Sequence, residues 1–176
     1  FNAPTNVFVA TFMGSPSMNL VEATVSGGTI SFAGIVIEVR DPTLLAGRDR
    51  VIVGIRPTDF VADGWADPAL PRLVVNPDVV EDLGVETNVI FPIAARRLQV
   101  DVGSHEDASD GVLLADDERA LFTARLPSRS VVRGKVCLAI DVNQLYFFDP
   151  ATGAALGDRT SLPARQPDAA DTAWRP

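Results

Sequence analysis

The sequence predicts an all-β fold: a barrel or sandwich of about eight to ten short strands, with one short helix in front of them. Short apolar runs recur between residues 20 and 148, each closed by glycine, proline or Asp-Pro signals. No stretch between them repeats apolar residues at the spacing of a crossover helix, which a parallel sheet needs. With 176 residues, 47% of them hydrophobic and 22% charged, the chain has the length and apolar content for one core.

Pro4 to Phe12 suits a short helix, with Pro4 in its first turn and Phe8 and Phe12 on one face. Gly14-Ser15-Pro16 stops it. Leu20–Val25 reads as a strand. Thr29–Phe32 and Ile35–Val39 flank Ala33-Gly34, after a Gly27-Gly28 turn. Arg50–Ile55 is apolar at almost every position, as in a strand buried on both faces, and Arg56-Pro57 ends it. Residues 61–71 read as a surface loop. Leu73–Val75 and Val79–Leu83 are expected to form one long strand bent at Asn76-Pro77, with Thr87–Ile93 returning as its hairpin partner after Gly84. Residues 96–111 become loop-like in their second half. In 120–126, alternation points Phe122, Ala124 and Leu126 to the core. Val136–Ile140 and Leu145–Phe148 are the last strands, and Asp149–Gly153 closes the barrel. Residues 157–176 are expected to remain outside the core as a flexible tail.

Composition excludes several functions. A net charge of −8 argues against a nucleic-acid or anionic-membrane surface. No run approaches the roughly 18 apolar residues of a membrane-spanning helix. No signal-peptide pattern is present, and the chain opens on Phe1. Cys137 is the single cysteine and reads as a reduced thiol in a buried strand, which favours a cytosolic setting.

Catalytic patterns are sparse. A phosphate-binding loop needs Gly-x4-Gly-Lys-Ser/Thr. Gly134-Lys135 is followed by Val136, and position 129 is Arg, so no such loop exists in this chain. His105 lies in an acidic loop beside Ser104 and Ser109, an adjacency unlike a triad. Asp101, His105, Asp107 and Asp110 hold metal-ligand atoms, but the calcium-loop pattern fails and a solvated loop is the simpler reading. Asp116-Asp117-Glu118 reads as a charged hairpin tip. No catalytic, cofactor-binding or metal residue is therefore assigned. Trp65, in a loop, is read either as folded back on the barrel or as a partner contact. In Tyr146-Phe147-Phe148, Phe147 faces away from the other two. One face is core, and the other is expected to be open to solvent in a monomer and covered in a dimer.

Four segments, in order, resemble the accessory domain of sugar-importer ATPase subunits of the maltose type. They are Phe8-Val-Ala-Thr-Phe-Met-Gly-Ser-Pro-Ser-Met-Asn19, Val53-Gly-Ile-Arg-Pro57, Val79-Val-Glu-Asp-Leu-Gly84 with Thr87, and Leu145-Tyr-Phe-Phe-Asp-Pro-Ala-Thr-Gly153. Thr58 stands where the family has Glu, Tyr146-Phe147 where it has His-Leu, and Thr11 where it has Gly. The resemblance implies an OB-like (TOBE-type) β-barrel with a short N-terminal helix. It divides the chain into a junction (1–19), a regulatory barrel (20–156) and a tail (157–176). Gly14, Ser15, Pro16, Met18 and Asn19 would form the junction to an ATPase domain missing from this chain, and Phe148, with Tyr146 and Trp65, would contact a second copy or a regulatory protein. ATP and Mg would belong to the missing domain, and membrane permease subunits would be reached through it, at the cytoplasmic face of the membrane. An alternative reading is an oxyanion- or small-ligand-binding barrel using Arg48, Arg50, Arg56, Arg96, Arg97, Arg129 and Arg133. A glycosidase would need a carboxylate pair that the sequence does not single out.

Overall fold

A computed structural model describes residues 4–12, 14–96, 98, 119–128 and 134–157. Among them are one α-helix and eleven strands. Helix α1 is Val7–Phe12. It starts later than Pro4, because the Asn6 side chain caps it by accepting a hydrogen bond from the Val9 N–H at 2.8 Å.

The first sheet contains β1 (Asn19–Ser26), β2 (Thr29–Phe32), β3 (Ile35–Glu38), β4 (Arg50–Ile55) and β11 (Tyr146–Phe148), in the order β11-β4-β1-β2-β3. β4 has a neighbour on each side, and Val51 to Ile55 are all buried, as its apolar run predicts. The second sheet places β10 (Val136–Ile140) between β5 (Phe60–Ala62) and β6 (Arg72–Val75). The third runs β7 (Val79–Asp82), β8 (Glu86–Arg96) and β9 (Arg119–Pro127). All the pairings are antiparallel.

All three sheets contribute buried residues to a shared core, the third through β8 and β9, while β7 is exposed along its length. Phe60, Phe91 and Phe122 meet at the centre of that core, with ring centroids 5.9 to 6.5 Å apart. Phe122, Ala124 and Leu126 point into this core, as the alternation in β9 predicts. The fold is all-β and OB-like, although the described strands divide into three sheets and do not close into a single ladder.

Some sequence expectations change. Residues 72–82 are not one bent strand: β6 pairs with β10 and β7 pairs with β8. The Asn76-Pro77-Asp78 break sends the chain into a different sheet, since Pro77 has no N–H with which to continue a ladder. The 61–71 segment is not all loop, because β5 takes its start and a 3-10 turn, Asp63–Trp65, follows. Cys137 is half-buried and not in the core; it pairs with the exposed Val74.

Candidate functional site

Residues from three of the four resemblance segments meet on the outer face of the first sheet. Phe147 points into the main core, while Tyr146 and Phe148 point the other way. That second face was expected to be solvent-exposed. Phe148 is instead 0% exposed, and Tyr146 is buried beside it. Val7 and Ala10 of α1, together with Met18 and Ile52, cover them. The correction has a simple cause: the chain's own N-terminal segment supplies the apolar cover that a second subunit was expected to supply.

Gly54 makes this closure possible. It lies opposite Leu20 on β1 and Tyr146 on β11. A Cβ at Gly54 would overlap Met18 Sδ and sit 3.1 Å from Phe148 Cε2 and 3.2 Å from Tyr146 Cβ. Arg56, two residues on, donates from Nε to Tyr146 Oη at 2.9 Å, and its guanidinium carbon lies 5.1 Å from the Tyr146 ring centroid.

The junction residues also close a sheet edge. β9 is the edge strand of the third sheet. Asn19, only 6% exposed, donates from Nδ2 to Thr123 O at 2.8 Å and to Ile55 O at 3.0 Å, and accepts from the Thr123 N–H at 2.7 Å. One amide side chain thus substitutes for a neighbouring strand at Thr123 and ties the first sheet to the third. Arg125, further along β9, donates from Nη2 to Ser15 O and pairs with Glu86 at 3.4 Å. Gly14 adopts φ +116°, a left-handed backbone that suits the chain reversal between α1 and this contact.

The last resemblance segment and the residues after it hold the chain at the start of α1. Asp149 Oδ1 accepts from the backbone N–H groups of Ala151 and Thr152, each at 3.0 Å, and from the Thr152 hydroxyl at 3.2 Å. These bonds, Thr152 first, hold its carboxyl below the ordinary carboxylate value, with Arg48 adding a smaller pull. The turn they shape delivers Gly153 O to the Val7 N–H at 2.8 Å, and the Ala155 N–H reaches Thr5 O at 3.0 Å.

Trp65 stands apart from this cluster and is 74% exposed, so it does not fold back on the barrel. Its loop is held by Arg72, which donates to the Asp63 carboxylate and to the carbonyls of Pro68 at 2.9 Å and Leu70 at 2.8 Å. Gly54, Arg72 and Arg125 were not assigned structural roles from sequence. Asp149 was legible in principle, since Asp-Pro-x-Thr-Gly has the form of a side-chain-closed turn.

Among the arginines considered for anion binding, those with described side chains have protein partners. Arg48 pairs with Asp149, Arg50 with Glu22 and Arg56 with Tyr146. Among the described residues no group of three or more His, Cys, Asp or Glu is placed to hold a metal. No helix among them is long and apolar enough to cross a membrane. Ser104, His105, Ser109, the acidic candidates of 101–118, the side chains of Arg96, Arg97, Arg129 and Arg133, and the 158–176 tail lie outside the described residues.

The family model for the MalK OB fold domain matches residues 14–60. Over that stretch the chain is similar to a MalK OB fold. The matched stretch contains Met18, Asn19, Gly54 and Arg56, the residues that seal β11 and the edge of β9. The chain is 31% identical over 160 residues to the sulfoquinovosyl glycerol transport ATP-binding protein SmoE of Agrobacterium fabrum, covering 86% of this chain and 37% of that protein. It is 31% identical over 172 residues to the trehalose import ATP-binding protein SugC of Mycobacterium tuberculosis, covering 89% and 42%. It is also 36% identical over 101 residues to the diacetylchitobiose uptake system ATP-binding protein MsiK of Streptomyces coelicolor, covering 49% and 27%. The chain therefore spans less than half of the length of these relatives, and the match falls in their C-terminal region. These relatives are ATP-binding proteins of transport, import and uptake systems, and the chain is similar to part of each.

Proposed function

We propose that this chain is the accessory domain of an ABC sugar-importer ATP-binding subunit. It would keep two copies of that subunit associated and receive regulatory contacts. ATP and Mg would act in the ATPase portion, which would drive import through permease subunits at the cytoplasmic face of the membrane. The supporting observation is the convergence of the junction, the Gly54-Ile-Arg56 segment and the Tyr146–Gly153 segment into one packed cluster. The described contacts of that cluster are packing and hydrogen bonds that hold these segments together. A contact between two copies related by a twofold axis needs only one self-complementary patch on this domain.

Burial of Phe148 moves the proposed partner contact to the surface. Trp65 is the candidate that reaches it, displayed on the loop that Arg72 fixes. Which sugar is carried is left to other subunits. The described arginines give no support to an oxyanion site.

Sedimentation of the complete subunit tests the reading. Truncation before residue 20 should weaken self-association at least tenfold while the remaining portion still hydrolyses ATP. Unchanged association would remove the dimerisation role.

A further inference from the structure

The β7–β8 hairpin leaves nine consecutive residues, 78–86, in water. Four of them are apolar: Val79, Val80, Leu83 and Val85, the last 83% exposed. Four carboxylates, Asp78, Glu81, Asp82 and Glu86, are interleaved with these. Glu86 pairs with Arg125 at 3.4 Å. Among the described residues no cation pairs with Asp78, Glu81 or Asp82.

The backbone of the same strand is half used. Among the described strands β7 has β8 as its one neighbour. The Leu83 N–H bonds to Glu86 O at 2.8 Å. Bonded residues alternate along an antiparallel ladder. Val79, Glu81 and Leu83 therefore aim their backbone groups at β8, and Val80 and Asp82 turn theirs to the open edge. An exposed edge flanked by apolar side chains is a site for pairing with another strand.

We infer that the open edge of β7 docks an extended segment of a separate, basic polypeptide by strand addition. The pattern Val79-Val80-Glu81-Asp82 specifies the occupant. Neighbouring side chains point to opposite faces, so each face of β7 offers one valine followed by one carboxylate. An antiparallel partner complements both faces with two basic residues followed by two apolar ones. A second copy of β7 is a poor occupant, because it would set the Asp78, Glu81 and Asp82 carboxylates of both copies along one seam. The inference stands on the hairpin and goes beyond the function proposed above.

The test uses the full 176-residue chain and a fluorescein-labelled peptide with a Lys-Lys-Val-Val core, read by fluorescence anisotropy. A peptide with a Glu-Glu-Val-Val core is the control. The basic peptide should bind at least tenfold more tightly than the acidic one, and added salt should narrow the gap. Val80→Pro should weaken basic-peptide binding at least tenfold, because proline removes an N–H from the open edge. Amide exchange across β8 should keep its wild-type rate in that variant, since the Val80 N–H is not part of the β7–β8 ladder. Asp78→Lys/Glu81→Lys should reverse the preference between the peptides, and decides the matter should Val80→Pro disturb β8. No binding of the basic peptide, equal affinity for the two peptides, or a preference unchanged by the lysine pair would overturn the inference. Self-association of the chain that Val80→Pro abolishes would assign the edge to a second copy and also overturn it.

Discussion

Asn19 and Thr123, 104 positions apart, are joined by two hydrogen bonds: Asn19 Nδ2 to Thr123 O at 2.8 Å and Thr123 N to Asn19 Oδ1 at 2.7 Å. A third bond from Nδ2 reaches Ile55 O at 3.0 Å. Leucine at position 19 would remove all three and leave the edge of β9 unpaired. Asn19→Leu should therefore destabilise the chain by about 2–4 kcal/mol, measured by denaturant unfolding. Asn19→Asp aims a carboxylate at two carbonyl oxygens. It should be destabilised at neutral pH and recover part of the loss when the carboxyl is protonated in mild acid. A pH-independent loss would mean that the amide donors contribute little.

Gly54 tests the packing over β11. Gly54→Ala should cost about 1–3 kcal/mol, because its Cβ overlaps Met18 Sδ and crowds Phe148. Shortening the obstructing side chain should relieve part of this. In a double-mutant cycle, Met18→Ala combined with Gly54→Ala should be less damaging than the sum of the single changes. Strict additivity would show that the two residues do not touch in solution.

Phe148 and Trp65 should respond in opposite ways. Phe148→Ala should cost about 3–5 kcal/mol of stability as a large-to-small core change. Phe148→Asp should abolish the folded signal. Trp65→Ser should leave unfolding within about 0.5 kcal/mol of wild type, because the ring is in solvent. A folded, stable Phe148→Asp would restore the solvent-facing reading of that side chain.

Acid should loosen the grip on α1. The folded-state carboxyl of Asp149 titrates below its ordinary value of 3.8, held there first by the Thr152 N–H and then by the Ala151 N–H. Its contribution is thus fully present above that ordinary value and disappears as pH falls through the lowered folded one. Amide exchange at Val7 and Ala155 should be faster in Asp149→Ala than in wild type at neutral pH. The two should converge at the acid end of the carboxylate range. A constant gap across that range would separate the turn from the charge.

Cys137 should be a slow nucleophile at neutral pH. Burial, then the nearby Asp63 carboxylate, pushes its thiol above the ordinary value of 9.0, against the opposing pull of Arg72. Alkylation should accelerate on the alkaline side of that value, and Asp63→Asn should shift the profile toward lower pH. A neutral-pH rate equal to that of a free thiol would contradict this.

Most strands were legible because their cause is local. The apolar run of β4 signals a strand with neighbours on both sides, and the alternation in β9 separates Phe122, Ala124 and Leu126 from Leu121, Thr123 and Arg125. The junction motif was legible as a pattern, but the work of Met18 and Asn19 was not, because their partners lie on β4, β9 and β11. Nothing near Arg72 in sequence indicates that its guanidinium would organise the loop displaying Trp65.

The sequence by itself determined the all-β class, the opposite facing of Phe147 to Tyr146 and Phe148, and the aromatic pair on α1. These follow from backbone periodicity, which a residue carries wherever it folds. Only the tertiary structure decided what covers the Tyr146/Phe148 face, which strand edge Asn19 closes and that residues 72–82 divide between two sheets. Periodicity establishes that a face needs cover, but not which distant segment supplies it. Here that was settled by the space above Gly54, where only a hydrogen atom stands between the sheet and Met18.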